Sequence, residues 1–173
     1  MTTYDKEQQL VSQKRGKWSD PGIPHKGWDC VEIEDLGEPS QLCEMCESQN
    51  IRYVHHMEHP NYPDTLGVGC VCSGHMEEDL VAAKQRDSQM HSRAQKRKRW
   101  LSRAWKISSK GNDYIKSDGY IITVYRKKSG WGATIVQDGC DFVKHSRLHY
   151  SEKNKAKLAA FDVVTKLLSK QKA

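Results

Sequence analysis

Two tight pairs of cysteines are the residues of this sequence whose spacing most clearly predicts chemistry. Two residues separate Cys43 from Cys46, one separates Cys70 from Cys72, and 23 residues lie between the pairs. One turn of backbone can present the first two thiolates to a single ion, and a second pair can complete a tetrahedron, which is the geometry that zinc prefers. We therefore predict a structural Zn²⁺ site with these four cysteines as ligands.

The fourth position of this site has a second interpretation. Two residues also separate Cys72 from His75, so Cys43, Cys46, Cys72 and His75 form a competing ligand set. Four cysteines are favoured, because thiolates bind zinc well and Cys70 would otherwise be an unexplained thiol beside the ion.

Disulfide bonding or redox chemistry is the alternative use of these thiols. Cys30 and Cys140 stand apart from the two pairs, and the chain begins without an apolar signal segment. Because these features are typical of proteins whose thiols stay reduced, we expect a cytoplasmic protein in which the paired cysteines bind metal.

Composition limits the size of the core. The chain has 173 residues, of which 36% are hydrophobic, and its mean hydropathy is −0.82. Two small modules fit these values better than one large core. No apolar run approaches the roughly 20 residues that span a bilayer, so we expect a soluble protein without a membrane partner.

The formal net charge of +6 conceals a division along the chain. Residues 1–83 hold 6 Lys and Arg against 15 Asp and Glu, whereas residues 84–173 hold 22 against 7. The first part therefore carries a net charge of −9 and the second +15. An excess of this size indicates a nucleic-acid partner, although a solvated basic surface has the same composition.

Hydrophobic patterns and turn residues divide the chain into four segments. Residues 1–42, rich in Pro and Gly, are predicted to be mostly irregular. Residues 43–83 form the zinc module, residues 84–112 a basic helix and linker, and residues 113–173 a unit of three antiparallel strands and one helix. The fold class is therefore α+β, and the C-terminal unit is the one that we expect to bind nucleic acid.

Inside the zinc module, residues 51–57 and 66–71 have strand character, and the prolines and Asn61 between them predict a turn. The result is a hairpin bracketed by the cysteine pairs. A helix is predicted to begin directly after Cys72 and to continue to Gly111, because neither Pro nor Gly interrupts it after its first turn. Apolar residues along this helix indicate a stripe that packs on the fold, with a helical dimer seam as the alternative.

The distal half of this helix is basic around most of its circumference, so it could lie along a phosphate backbone. A helix bound at a membrane surface or a solubilising face is the alternative. The candidate nucleic-acid contacts here are Arg93, Lys96, Arg97, Lys98, Arg99 and Arg103.

The cysteine pair, the hairpin and the second ligand pair at the start of a helix resemble a treble-clef zinc finger, which implies a mainly structural metal. The sequence departs from that pattern in having one residue between Cys70 and Cys72 where two are usual.

His55 and His56, at the end of the first strand of the hairpin, make the module similar also to zinc-bearing HNH endonucleases. That resemblance implies His56 as the catalytic base, with His55 and His75 holding a divalent metal. The middle asparagine of the family has no counterpart here.

Residues 120–168 resemble the sheet and helix of AP2-type DNA-binding domains, notably in the stretch Gly130-Trp131-Gly132-Ala133-Thr134-Ile135. In that family the sheet enters the major groove, and the start of the last helix also resembles that of double-stranded-RNA-binding domains, where lysines meet phosphates. The contacts implied are Arg126, Lys127, Lys128, Trp131, Lys153, Lys155 and Lys157, with Tyr120 and Tyr125 as further candidates. A small α+β domain in which Trp131 belongs to the core is the alternative.

The chain as a whole is similar to uncharacterised bacterial proteins that pair such a cysteine module with a β-rich tail, a resemblance that implies no activity. The sequence thus predicts a zinc-containing protein that binds nucleic acid, with duplex DNA favoured over RNA, and that is not an enzyme. An HNH-like nuclease is one alternative. An adaptor whose acidic N-terminal half binds a protein partner is the other.

Overall fold

The computed structural model describes residues 15–171 together with Asp5 and Gln9. The protein is α+β, and the described residues form three α-helices and three antiparallel sheets. The chain divides into an N-terminal unit that ends at Arg93 and a C-terminal unit that begins at Ala94. Most of the irregular structure predicted for residues 1–14 lies outside the described residues.

The described part of the N-terminal unit contains five strands. The fourth of them along the chain is the central strand of the larger sheet. After a 3-10 turn at Gly16–Ser19, the larger sheet has the order β1-β4-β5, and β2 and β3 pair separately. The bounds are β1 Asp29–Asp35, β2 Gln41–Leu42, β3 Asn50–Ile51, β4 Tyr53–His59 and β5 Tyr62–Val68.

The predicted hairpin is confirmed as β4 and β5, with a shorter turn than expected at Pro60 and Asn61. Pro63 lies inside β5, where the missing N–H is tolerated because β5 is an edge strand. Val71, predicted to end the second strand, belongs instead to a helix.

The single helix predicted from Cys72 to Gly111 is wrong, because two helices and a strand occupy this segment. Helix α1 spans Cys70–Met76 and helix α2 spans Leu80–Trp100. Glu78, in the left-handed region with φ of 59°, ends the first helix. Asp79 starts the second, because its carboxylate accepts the N–H of Ala82 at 2.9 Å, the arrangement of a helix N-cap.

Two tryptophans fix the end of α2. The indole N–H of Trp100 donates to the carbonyl of Lys157 at 2.8 Å in the C-terminal core, and that of Trp105 donates to the carbonyl of Trp100 at 3.2 Å. The second bond satisfies one of the carbonyl groups that a helix end leaves unpaired. The chain then forms a strand well before Gly111.

The C-terminal unit is a five-stranded meander covered on one face by helix α3. Its sheet has the order β10-β9-β8-β7-β6, where three strands were expected. The bounds are β6 Lys106–Ile107, β7 Asp113–Ser117, β8 Tyr120–Lys127, β9 Gly130–Gln137, β10 Val143–His145 and α3 Lys153–Gln171. The last three strands are the predicted ones. The additional β6 and β7 are short and bury few apolar residues, so their hydrophobic pattern is weak.

Each unit has its own core. In the N-terminal unit, Trp18, Trp28, Met57 and Met76 pack around the buried cysteines. In the C-terminal unit, the inward side chains of β8 and β9 pack against α3. They include Ile122, Val124 and Ile135 on the strands and Ala160 and Phe161 on the helix. Among the described residues, no helix combines the length and apolarity that crossing a membrane requires.

Gly130 provides a test of this arrangement, because its φ is 135° and a Cβ added to it would lie 2.6 Å from the carbonyl oxygen of Tyr150. Gly119 also has a positive φ, of 79°, but a Cβ there would meet nothing within 4 Å. We expect Gly119→Ala to lower the free energy of unfolding by about 1 kcal/mol and Gly130→Ala by about 3 kcal/mol, because only the second adds a steric clash to backbone strain. Urea unfolding followed by circular dichroism measures both. Equal losses would contradict the role given to the Tyr150 contact.

Candidate functional site

Cys43 and Cys46 lie in the tight turn that joins β2 to β3. The two strands pair Gln41 with Ile51 and Leu42 with Asn50, which brings the ends of the turn together. Within the turn, the N–H of Cys43 donates to the carbonyl of Gln49 and the N–H of Glu47 donates to that of Cys43, both at 2.8 Å. Both side chains are buried, so the turn presents two thiols to the interior.

Cys72 comes to this turn from α1. The three sulfur atoms of Cys43, Cys46 and Cys72 lie within 4.8 Å of one another. Sulfur ligands of a tetrahedral metal with bonds near 2.3 Å are separated by about 3.8 Å, so the three thiols could hold a metal ion after small adjustments. This part of the predicted ligand set comes together as expected.

Backbone and indole N–H groups point at two of these sulfurs. The N–H of Gly69 donates to Cys43 Sγ and the indole of Trp18 donates to Cys72 Sγ, each at 3.4 Å. Trp18 is held there because the N–H of Lys17 donates to the Met45 carbonyl at 2.8 Å. Hydrogen bonds of this kind stabilise a thiolate more than a thiol, and thiolates are the form that binds metal.

Proximity and burial set the ionisation of the three thiols. Hydrogen bonds from Cys43 and Cys72 lower the pKa of Cys46 well below its usual value. Hydrogen bonds to Cys43 and Cys46, together with burial, raise the pKa of Cys72. The hydrogen bond to Cys46 and burial raise the pKa of Cys43, although the hydrogen bond to Cys72 opposes this. A group of three buried thiols therefore favours a single negative charge, and a cation is needed for all three to ionise.

Cys70, predicted as the fourth ligand, does not join this group. Residues two apart on a helix point about 200° away from each other, so Cys70 and Cys72 face opposite sides of α1. Cys70 instead lies within 4.8 Å of His55 and Asp87. The four-cysteine ligand set is thus not formed, because the second pair lies on a helix.

His75 remains on the correct side of α1 for the competing set. Residues three apart on a helix share a face, as Cys72 and His75 do. His75 lies outside the group of three sulfurs, but its ring is 6.5 Å from that of Trp18, and its Nε2 is buried with no hydrogen-bond partner among the described residues. Burial lowers the pKa of His75, which favours the neutral ring that a metal ligand requires.

The three histidines of the nuclease alternative do not form a common group in the described chain. His55 is buried beside Cys70 and Asp87, whereas His56 points to the other face of β4, where its Nε2 is 3.1 Å from Glu34. His75 lies near Trp18. The arrangement that the nuclease alternative requires, a catalytic His56 beside a metal held by His55 and His75, is therefore not formed in the described chain.

The basic residues predicted on α2 are mostly exposed. Arg97 forms an ion pair with Asp162 at 3.2 Å, and Arg103 stacks on Trp100 while it donates to Ser117 at 2.8 Å. The remaining predicted contacts on this helix are exposed; they are Arg93, Lys96, Lys98 and Arg99.

The residues predicted around the β8–β9 hairpin fall into exposed and packed groups. Arg126 and Lys128 are exposed, whereas Lys127 donates to the carbonyl of Ser146 at 3.1 Å. Trp131 is half-buried, and Arg126 and Lys153 lie over its ring at 5.4 and 5.0 Å. Trp131 therefore borders the core and also supports two cations.

The lysines of α3 likewise differ in their exposure. Lys155 is exposed and bonds Ser151, but Lys157 is 7% exposed and pairs with Asp113 at 2.7 Å. Although burial opposes it, hydrogen bonds from Lys157 and Lys153 hold the pKa of Asp113 below its usual value. Burial removes Lys157 from the predicted contact surface, because its charge is already compensated inside the protein.

The sheet face opposite α3 carries Tyr125, one of the candidates, together with residues that sequence reasoning did not name as contacts. Residues paired in register lie on one face of a sheet. One such row crosses all five strands and contains Lys106, Tyr114, Thr123, Thr134 and His145. We call this side of the sheet the outer face; it also carries Lys116 and Tyr125. The Asp118-Gly119 dipeptide, a hairpin signal that joins β7 to β8, could have revealed part of it.

A shallow cleft at the β6–β7 side of the sheet adds positive charge. It has a volume of about 350 Å³ and is lined by Arg103, Lys106, Tyr114 and Lys116 among others.

Comparison with known proteins found no family model that matches the chain, and no curated protein or solved structure with significant similarity to it.

Glu47 tests the geometry of the cysteine turn, because its φ is 52° and its side chain pairs with Lys17 at 2.7 Å. Glu47→Gly and Glu47→Ala both remove the ion pair, but only glycine relieves the left-handed backbone. We expect the Gly variant to exceed the Ala variant in free energy of unfolding by about 1 kcal/mol. Thermal unfolding of both proteins with the same metal content measures the difference. A more stable Ala variant would show that the turn does not need this conformation.

Proposed function

We propose that this protein is a zinc-containing nucleic-acid-binding protein, in which the metal is structural and the basic C-terminal unit contacts duplex DNA. The observation that carries the proposal is the outer face of the five-stranded sheet, where Lys106, Lys116, two tyrosines and two threonines lie on the side away from α3. Cations bind phosphates, and half-exposed tyrosines and threonines supply hydrogen bonds and stacking surfaces.

The charge division supports this assignment. Residues 84–173 carry 22 basic against 7 acidic side chains. The described internal ion pairs use some of this charge, as at Lys157 and Arg97. The exposed cations of α2, the outer face and the β8–β9 turn remain on the surface, where they favour a polyanion by release of its counterions.

The shape of the sheet suggests how it meets DNA. Five strands spaced about 4.8 Å apart span about 19 Å, which is wider than the roughly 12 Å of the major groove. The pairing of β7 with β8 stops at Val124, whose partner Asp113 is the first residue of β7. Strands β8 and β9, however, continue to pair with each other beyond this point. Tyr150 pairs with Trp131 along the other side of β9, so this extension is about 10 Å wide. With Arg126 and Lys128 near its tip, it is narrow enough to enter the groove, as in the AP2-type resemblance. The lysines of the outer face then contact phosphates.

For the zinc site we propose Cys43, Cys46, Cys72 and His75 as ligands in a treble-clef-like module. The β2–β3 turn, the β4–β5 hairpin and α1 follow in the order of that motif. The ion links the turn to α1, and it neutralises thiolates that burial otherwise disfavours. The three cysteines are at most 4% exposed, which suits a closed structural site better than a catalytic one. A protein partner for the acidic N-terminal half remains a sequence-based prediction.

The ligand role of His75 can be tested against His25, another histidine beside Trp18, whose Nε2 is also buried without a partner in the described chain. We expect His75→Ala to weaken binding of the metal at the cysteine site at least about tenfold, and His75→Cys to restore it as a four-thiolate site. His25→Ala should leave binding unchanged. Titration with Co²⁺ reports both affinity and thiolate number, because each thiolate adds charge-transfer absorption. Unchanged absorption and affinity in His75→Ala would remove His75 from the site.

Nucleic-acid binding can be tested with two matched double variants. Lys106→Gln with Lys116→Gln removes two charges from the outer face, and Lys166→Gln with Lys170→Gln removes two exposed charges from α3. We expect the wild-type protein to bind labelled duplex DNA with an affinity that falls steeply with salt. The first variant should reduce the slope of log K against log salt by about 1.8, because each phosphate contact contributes about 0.9. The second should leave the slope unchanged.

Fluorescence anisotropy at several salt concentrations, with DNA and RNA duplexes of equal length, provides the measurement. Equal losses in the two variants would indicate attraction by net charge alone and would contradict the outer face as the binding surface. Absence of binding at low salt would contradict the proposed function as a whole.

A further inference from the structure

A second group of metal-ligating side chains lies on the other side of α1 from the three cysteines. His55 on β4, Cys70 at the start of α1 and Asp87 on α2 each contribute one atom, and these three atoms lie within 4.8 Å of one another. The group thus joins one strand and two helices of the N-terminal unit.

The imidazole of His55 is poised as a ligand. It is 0% exposed, and its Nε2 is buried with no hydrogen-bond partner among the described residues. Asp87 Oδ1 lies 3.6 Å from this atom, which is too long for a hydrogen bond. A buried nitrogen without a partner is rare in proteins and is one sign of a missing ion.

The neighbour of the other ring nitrogen, Nδ1, sets the tautomer of His55. The irregular pairing of β1 between Cys30 and Glu32 turns the Cys30 side chain so that its sulfur lies 4.0 Å from His55 Nδ1. Because the Cys30 thiol donates to the carbonyl of Glu32 at 3.5 Å, its sulfur is left to accept the N–H of Nδ1. The lone pair of His55 is then on Nε2, which is the arrangement of a histidine oriented to bind metal.

We propose that His55, Cys70 and Asp87 form a second metal site, separate from the three-cysteine group and suited to Zn²⁺. A nitrogen and an oxygen bound to one tetrahedral zinc lie about 3.4 Å apart, close to the separation of His55 and Asp87. A thiolate and a carboxylate also supply two negative charges, which balance a divalent ion in a partly buried setting.

The same residue types occur in nucleophilic triads, but the geometry differs. In a triad, the thiol and the carboxylate bond to the two different ring nitrogens of the histidine. Here a single nitrogen of His55 lies close to both Cys70 and Asp87. Convergence of two ligands on one nitrogen is the geometry of a shared ion.

The surroundings of the site leave one coordination position for a ligand. Cys70 and Asp87 line a cleft of about 480 Å³, whose other walls include Arg52, Tyr53 and Lys84. Three protein ligands and an accessible fourth position are typical of zinc sites that bind water or substrate. Water or a small ligand that enters the cleft is therefore the expected occupant of the fourth position.

The experiment uses the full-length protein and measures metal content and Co²⁺ absorption. We expect two equivalents per chain, one with thiolate-rich and one with thiolate-poor absorption. Asp87→Asn and Cys70→Ser should each remove the thiolate-poor equivalent and keep the other. Cys140→Ser, at an exposed cysteine of the C-terminal unit, should keep both.

The result separates this inference from the proposed structural site. Cys72→Ser should remove the thiolate-rich equivalent while the thiolate-poor one persists. A single equivalent in the wild-type protein, or two equivalents in both Asp87→Asn and Cys70→Ser, would overturn the second site. Loss of the thiolate-rich absorption in Cys70→Ser would return Cys70 to the cysteine site and would overturn it as well.

Discussion

The angle between two cysteines on one short helix determines the chemistry of the N-terminal unit. Because Cys70 and Cys72 are two residues apart on α1, their side chains point about 200° apart. One cysteine faces the β2–β3 turn and the other faces His55 and Asp87. The same seven residues therefore contribute to two separate groups of ligands, and any change in the start or register of α1 would affect both.

Glycines let the surrounding backbone approach closely enough to hold this geometry. A Cβ on Gly74 would lie 2.8 Å from Leu80 Cα, so glycine allows the start of α2 to lie against α1. A Cβ on Gly67 would lie 2.9 Å from Val54 Cγ1, and the N–H of Gly67 instead donates to Glu44. The cysteine turn is thereby fastened to β5. Both glycines therefore serve close packing.

The sequence predicts the local features of the site better than its assembly. The spacing of Cys43 and Cys46 indicates a metal-binding turn because two residues between ligands are enough to define it. Residues 66–71, in contrast, have the composition of a strand, in which Cys70 and Cys72 would share a face. In the structure, however, α1 already begins at Cys70. Because residues two apart on a helix point in nearly opposite directions, the two thiols face different sides.

Asp87 has no signal in the sequence, because it is one acidic residue within a basic helix. Its relation to His55 depends on how α2 packs on β4, which periodicity does not encode.

Strand β7 was missed for a different reason. The Asp118-Gly119 turn that joins it to β8 has positive φ at both residues and is a standard hairpin signal. Attention to that dipeptide would have extended the predicted sheet by one strand, and β6 would still have lacked a pattern of its own.

The two halves of the chain oppose each other in charge, and this constrains where a polyanion can bind. The acidic residues of the N-terminal half repel phosphates, and internal ion pairs such as Arg52 with Asp35 use part of its few cations. In the C-terminal unit, buried pairs such as Lys157 with Asp113 stabilise the core without weakening the surface field, because most of its basic residues remain exposed. Nucleic acid is therefore expected to meet the protein at the sheet. The two groups of side chains that could hold metal ions lie in the N-terminal unit, away from this basic surface in sequence, and we propose that they organise its fold.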